Sequence, residues 1–372
     1  MVSELVNKNH FKREHLIMLP FFFLFFSCRT LKQTTLPFKY DDFILVNVTI
    51  NDTLSGNMIF DTGSNHTIIY KQFIEFDKNI KSKEAKIIDF YGNIDKIIYS
   101  RVKKFTIGNQ DLSNVKIRFN NLNNIYKKNN IIGILGTDII SKYSWAFDFK
   151  NNELKINSPI DYNNLNILNI DFKKKSVINE NITIASKRIS NLRLDTGCLC
   201  QLTLNSRDKP NLYFKTEINL ITSIIGKEDK YSIDFSNLGT ISYKEIESDS
   251  IQIQVSNNFI NLVGIDFFKK DILVIDGINN KFYYSDILKH RPNQNNKLGL
   301  RFGIKNEKIF ITAIIKDSLS YKKGIKLGDA IESINENKIK ISENTLDSIN
   351  NIRNNIKNIT IKRNDELLQF SF

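Results

Sequence analysis

From Phe38 onward the chain is written in short runs where apolar and polar residues alternate. "FILVNVTI", "NMIFD", "AKIIDF", "DKIIYSRVKKFTI", "NVKIRF" and "NELKI" fill the first half. "RISNLRLD", "QLTL", "SIDF", "SIQIQV" and "KFYYS" follow in the second. A period of two sends successive side chains to opposite faces, so each run predicts a half-buried strand. Turn signals such as Tyr91-Gly92-Asn93 and Gly108-Asn109 separate the runs. Short helices are expected only after Gly136 and Gly264. The stretch 157–171 is polar, Asn-rich and carries Pro159, which predicts a connection between two halves. The chain reads as mostly β.

The halves repeat one another. "IFDTGSNHTII" and "LRLDTGCLCQLTL" each set Asp-Thr-Gly between apolar runs, and Asp61 and Asp195 lie 134 residues apart. At that same offset "NVTI" (47–50) falls on "NITI" (181–184). Further on, "GTDIISKYSWAFDF" from Gly136 matches "GIDFFKKDILVIDG" from Gly264. Three anchors in one order point to a duplicated β-unit.

Composition narrows the chemistry. The 372 residues are 41% hydrophobic, enough for two or three cores. The net charge of +13 comes from scattered lysines whose one dense run is 173–175. That pattern predicts solvated strand faces and no nucleic-acid partner. There is no HExxH, no Cys/His cluster at metal spacing and no GxSxG, so zinc and Ser-His-Asp chemistry are poorly supported and no metal or cofactor is expected. His66, close after the first Asp-Thr-Gly, reads as a partly buried structural residue. Asp138 and Asp266, each just after a glycine at a helix start, read as N-terminal caps. Cys198 and Cys200, two apart on an expected strand, would share a face and be poorly placed to bond each other. Free buried thiols are the expectation.

The N-terminal segment carries Lys12 and Arg13, then an apolar stretch over 16–26 too short to span a bilayer comfortably, then Ser27-Cys28. It resembles a bacterial lipoprotein signal, with Phe25 in place of the usual leucine. The resemblance implies lipidation at Cys28 and an exported protein held at a membrane surface, in the periplasm or at the outer membrane.

With the two Asp-Thr-Gly phrases in view, residues 38–284 resemble the pepsin and retropepsin aspartic proteases, most of all bacterial retropepsin-like enzymes with both units in one chain. Asp61-Thr62-Gly63-Ser64 and Asp195-Thr196-Gly197-Cys198 match the family's catalytic loops. Ile134-Leu135-Gly136 and Leu262-Val263-Gly264 match its later apolar-apolar-Gly signature. The resemblance implies two pseudo-symmetric β-barrel lobes, with Asp61 and Asp195 as catalytic residues and protein or peptide substrates. It also implies that Thr62 and Thr196 bond across between the loops. Two close carboxylates share one proton, so one activates water while the other donates to the scissile carbonyl. Gly63 and Gly197 permit close approach to the carboxyls. Ser64 offers a hydroxyl to its neighbouring carboxylate. Cys198 is a weaker donor, which would leave Asp195 the more readily protonated member. A hairpin flap is expected from "IIDFYGNIDKII", with Tyr91 as flap candidate, and in the second copy from "LITSIIGKEDKYSI".

From Lys297 the pattern changes. "KLGLRFGI" and the later "GIKLGDAIESINENKI" resemble a PDZ domain. Leu298, Gly299 and Leu300 match that family's carboxylate-binding loop, which implies recognition or gating by a peptide chain end. The chain is thus divided into a signal segment (1–28), a tether (29–37), a first lobe (38–156), a linker (157–171), a second lobe (172–290) and a PDZ domain (297–372). The reading is a monomeric exported aspartic endopeptidase. Its alternatives are a non-catalytic peptide-binding module on the same fold and a homodimer pairing Asp61 with Asp61.

Overall fold

The computed structural model describes residues 32–73, 83–88, 94–120, 130–212, 214–222, 228–236, 241–243, 246–248, 251–257, 259–288, 298–339 and 355–372, with Ile341, Thr345 and Ile349. Cys28 and Tyr91 lie outside these residues. Among the described residues no helix is long and apolar enough to cross a membrane.

The first unit is a closed six-stranded barrel. Phe43–Ile50 runs antiparallel to Leu54–Phe60, which lies parallel to Ile131–Leu135. The ring continues through Ile68–Tyr70, Gln110–Asn120 and Ile94–Ile107. It closes where Thr49 and Ile50 face Thr106 and Phe105. Closure removes the sheet edges that would otherwise template aggregation. Alternation fills the interior: Ile44, Val46, Val48, Phe105 and Ile117 are all buried in one core. The turn between the first two strands is made by Asn51 and Asp52, both at positive φ (50° and 58°). Positive φ is tolerated best by Asn, Asp and Gly, and Thr53 completes the three-residue connection between paired Ile50 and Leu54.

The second unit repeats the strand pairings around its Asp-Thr-Gly. Arg193–Asp195 is parallel to Leu262–Gly264, which is antiparallel to Leu202–Asn205. Leu202–Asn205 is parallel to Ile253–Ser256, and Glu228–Ser236 and Lys215–Thr222 follow as an antiparallel hairpin. Between the units lies a six-stranded sheet ordered Thr34–Pro37, Glu153–Ile156, Ser144–Asp148, Ile272–Asp276, Lys281–Tyr284, Asn166–Asp171. Two expectations change here. The stretch read as a tether ends in the edge strand Thr34–Pro37, and the one read as a linker ends in Asn166–Asp171. Both are too short and polar to announce themselves. Each becomes a strand by pairing with one distant in sequence.

The C-terminal unit has its own core, built on Leu300, Ile311, Ile314, Ile359 and Ile361. Leu300–Lys305, Lys308–Ile315, Ala330–Ile334, Asn358–Arg363 and Glu366–Ser371 form its strands, and Ser318 caps the short helix Leu319–Lys322. Asp329, almost fully buried, takes two hydrogen bonds from Arg363 at 2.7 and 2.6 Å. Gly299 sits at φ +70°, where a Cβ would collide with Ser318, and its carbonyl accepts from Ile315 N at 2.8 Å. This unit is joined to the second one: Glu217, Ile218 and Asn219 pair with Ile315, Ile314 and Ala313.

Candidate active site

Each Asp-Thr-Gly begins where a buried strand ends. Phe60 anchors the first, packed edge-on against Trp145 and Phe147 of the sheet between the units. Leu194 anchors the second, fully buried in the same core. The parallel neighbours of these strands end at Leu135-Gly136 and Val263-Gly264. A Cβ on Gly136 would collide with the His66 backbone, and one on Gly264 with the Cys200 carbonyl and sulfur. The apolar-apolar-Gly phrases are therefore the surfaces on which the two loops rest.

The two loops meet. Asp61 and Asp195 each place a carboxyl against the glycine of the other's loop, so the two acids lie side by side. A Cβ on Gly63 would strike the Asp195 carboxyl and one on Gly197 the Asp61 carboxyl, so only glycine lets each loop pass the other's acid. Beneath them the threonines interlock. Thr62 Oγ1 donates to the Leu194 carbonyl at 2.8 Å and Thr196 Oγ1 to the Phe60 carbonyl at 2.7 Å. Each hydroxyl also accepts the other threonine's N–H, at 3.0 and 3.1 Å. All four groups are buried, where hydrogen bonds are strongest and least dispensable.

The two carboxyls are unequal. Asp61 is 7% exposed, and its Oδ1 accepts from Gly63 N at 2.7 Å and Ser64 N at 3.0 Å. Asp195 Oδ1 accepts from Gly197 N at 2.9 Å. Burial raises the pKa of both above the ordinary carboxylate value. For Asp61 the hydrogen bond from Asp195 and the N–H groups of Ser64 and Gly63 offset part of that rise. For Asp195 the charge of Asp61 and the hydrogen bond to it add to burial, so its pKa stands well above 3.8. The pair therefore shares a proton, and its surroundings favour that proton on Asp195.

Several expected roles differ. Ser64 stabilises Asp61 through its N–H. Its hydroxyl donates to the His66 carbonyl at 2.8 Å. Cys198 has no S–H at all, because it is bonded to Cys200 in a disulfide with Cα atoms 5.4 Å apart. The strand ends at Asp195, so the irregular backbone over 198–200 escapes the strand alternation that would have kept the two sulfurs apart. Asp138 does not cap its own helix. It accepts from Thr67 N at 2.9 Å and Thr67 Oγ1 at 2.7 Å, tying the first loop to the helix Thr137–Ile140. Asp266 pairs with Lys270 at 3.0 Å. His66 is half-buried, and burial together with the charges of Arg118 and Lys116 lowers its pKa to about 4, so it is neutral near pH 7.

One further residue supports the site without any sequence signal. Ser176, fully buried at φ 57°, donates its hydroxyl to the Thr62 carbonyl at 2.7 Å across 114 residues. It lies directly after the basic run, where no motif marks it. Tyr91 falls outside the described residues.

Residues 46–139 match the model of the aspartyl protease family. The matched span begins in the strand before the first hairpin and ends in the helix after Gly136, so it takes in Asp61-Thr62-Gly63-Ser64. It supports a protease hydrolase in general, acting on protein or peptide substrates. The second Asp-Thr-Gly and the C-terminal unit lie beyond it. A search of curated proteins finds no match to the chain.

Proposed function

We propose that this chain is an aspartic endopeptidase whose catalytic pair is Asp61 and Asp195. The observation that carries the reading is the meeting of the two carboxyls, each set against the other loop's glycine, in loops locked through reciprocal threonine contacts. Ionised Asp61 takes a proton from water as the water attacks the scissile carbonyl. Protonated Asp195 donates to the carbonyl oxygen. The tetrahedral intermediate then collapses with proton transfer to the leaving amine. No covalent enzyme intermediate is needed, and the neutral His66 has no part in the proton transfers.

The C-terminal unit is read as a PDZ module. Support comes from the order of Leu298-Gly299-Leu300, Gly324 and Leu327-Gly328-Asp329, and from the left-handed Gly299 at the start of a strand. Its strand pairing with Lys215–Thr222, in the hairpin of the second unit, makes gating of the catalytic site the natural use of peptide binding there. The N-terminal composition supports export and lipidation at Cys28, with the enzyme acting as a monomer at a membrane surface.

The test is cleavage of an unfolded protein between about pH 3 and 8, beside Asp61→Asn and Asp195→Asn. Cutting by the wild type is expected, with each variant reduced by at least about 10²–10⁴-fold. A folded wild type that cuts nothing across that range overturns the catalytic reading and leaves peptide binding as the use of the fold.

A further inference from the structure

The segments after the two Asp-Thr-Gly triplets are closed at matching positions by different chemistry. In the first, Ser64 Oγ donates to the His66 carbonyl at 2.8 Å. In the second, 134 residues on, Cys198 and Cys200 are joined by a disulfide. The surroundings correspond: Thr137 N donates to the Ser64 carbonyl at 2.8 Å and Ile265 N to the Cys198 carbonyl at 3.1 Å. A covalent tie thus stands where the other loop uses one hydrogen bond.

The N–H groups that serve Asp195 stand at the entrance to the tied segment. Gly197 N reaches the carboxyl at 2.9 Å, and Cys198 N donates to the Asp195 main-chain carbonyl at 3.2 Å while lying close enough to the carboxylate to favour it. Cys198 opens the three-residue turn that the disulfide closes, and Gly197 immediately precedes it. The only charged group acting on Asp195 among the described residues is Asp61. Cys198 is the sulfur within reach of a reductant: it is half-buried where Cys200 is buried, and Leu199 between them is 43% exposed.

We propose that the Cys198–Cys200 disulfide is a positioning device for Asp195, holding the Gly197 and Cys198 N–H groups against it, and that a dithiol reductant resets the proton affinity of the acid pair. The chemistry is thiol–disulfide exchange. A thiolate of the reductant attacks one sulfur, the S–S bond breaks, and a mixed disulfide forms. The second thiol of the reductant then displaces the remaining protein thiolate. Two electrons and two protons pass to the protein, leaving two cysteine thiols and an oxidised reductant. With the tie gone the segment loses its closure, the two N–H groups hold the carboxylate less firmly, and Asp195 binds its proton more tightly. The effect on cleavage rests on the catalytic reading above. The effect on titration does not.

The full chain is labelled with ¹³C-carboxyl aspartate, and the carboxyl signals are followed against pH before and after dithiothreitol, with Asp195 assigned from its loss in Asp195→Asn. Maleimide labelling with peptide mapping reports the thiols. Expected results are cysteines at 198 and 200 that react only after reduction, and an upper titration step of the acid pair that rises by about half a unit or more, roughly threefold in proton affinity. The Cys198→Ser/Cys200→Ser double variant should titrate like the reduced protein and ignore the reductant. Reoxidation of the wild type should restore the original curve, which keeps the test valid if that variant fails to fold. Thiols at 198 and 200 already free in the untreated protein, or a titration unmoved by complete reduction, would overturn the proposal. A shifted titration in a protein that cleaves nothing would sustain it while the endopeptidase reading fell.

Discussion

Thr62 and Thr196 each place a hydroxyl under the other's loop, 2.8 Å from the Leu194 carbonyl and 2.7 Å from the Phe60 carbonyl. This brace holds the two loops together, and with them the two acids. Each threonine acts at the end of the strand that carries the opposite aspartate, so neither half can hold its acid in place alone.

Thr196→Val keeps the shape and deletes the hydroxyl. The Phe60 carbonyl and Thr62 N–H are then left buried without those partners. At about 1–3 kcal/mol for each unsatisfied group, a loss of roughly 2–6 kcal/mol is expected. Thr196→Ser, which retains the hydroxyl, should cost clearly less. The chain's single tryptophan, Trp145, is fully buried against Phe60 and reports urea unfolding of this region directly. An unchanged midpoint for the valine variant would contradict the brace.

Acid pairing also sets a pH dependence of stability. Asp195 has a folded pKa well above the 3.8 of an ordinary carboxyl, raised by burial and by Asp61. Between 3.8 and that folded value the native state binds more protons than the unfolded chain, so this group's contribution to stability falls as pH rises through the window. Asp195→Asn removes the titration. Its melting temperature relative to the wild type should climb from about pH 4 toward neutrality and level off below that range. A gap that narrows as pH rises would show the sign to be wrong.

The junction with the C-terminal unit turns on Glu217 and Arg301, whose Oε1 and Nε lie 3.2 Å apart. Glu217 is 5% exposed. Burial raises its pKa, and Arg301 together with a hydrogen bond from Asn219 offsets part of the rise. Lys316 N donates to the Thr216 carbonyl at 3.0 Å, and Ile218 packs on the C-terminal core. Arg301→Ala leaves a buried carboxylate unpaired at the centre of this short strand contact. Amide exchange over 215–219 and 313–316 should accelerate by about tenfold near pH 7, and adding Glu217→Gln should recover part of the protection. Equal exchange in wild type and variant would mean that the ion pair does not hold the junction.

Much of this architecture is legible in local pattern. Alternation in "FILVNVTI" marks a strand because Ile44, Val46, Val48 and Ile50 share one face, a property of that segment alone. The repeated Asp-Thr-Gly and the later glycines are legible because a backbone packed tightly against another chain segment excludes every side chain. The strands Thr34–Pro37 and Asn166–Asp171 are not legible, since their reason for being strands is a partner more than 100 residues away. Ser176 is hidden for the same cause: its hydroxyl matters only because Thr62 arrives beside it.

What the sequence determined by itself is the duplicated β pattern and the residue types at the two loops, because period, turn chemistry and glycine spacing act over a few neighbouring residues. Only the tertiary structure decided which donors serve which acid, that Ser64 works through its N–H, that Asp138 holds Thr67, and that Cys198 bonds Cys200. These follow from where the backbone turns after each Asp-Thr-Gly. That turn is set by the glycine strand packed beneath it, and its direction is a property of the assembled barrels rather than of any short stretch of chain.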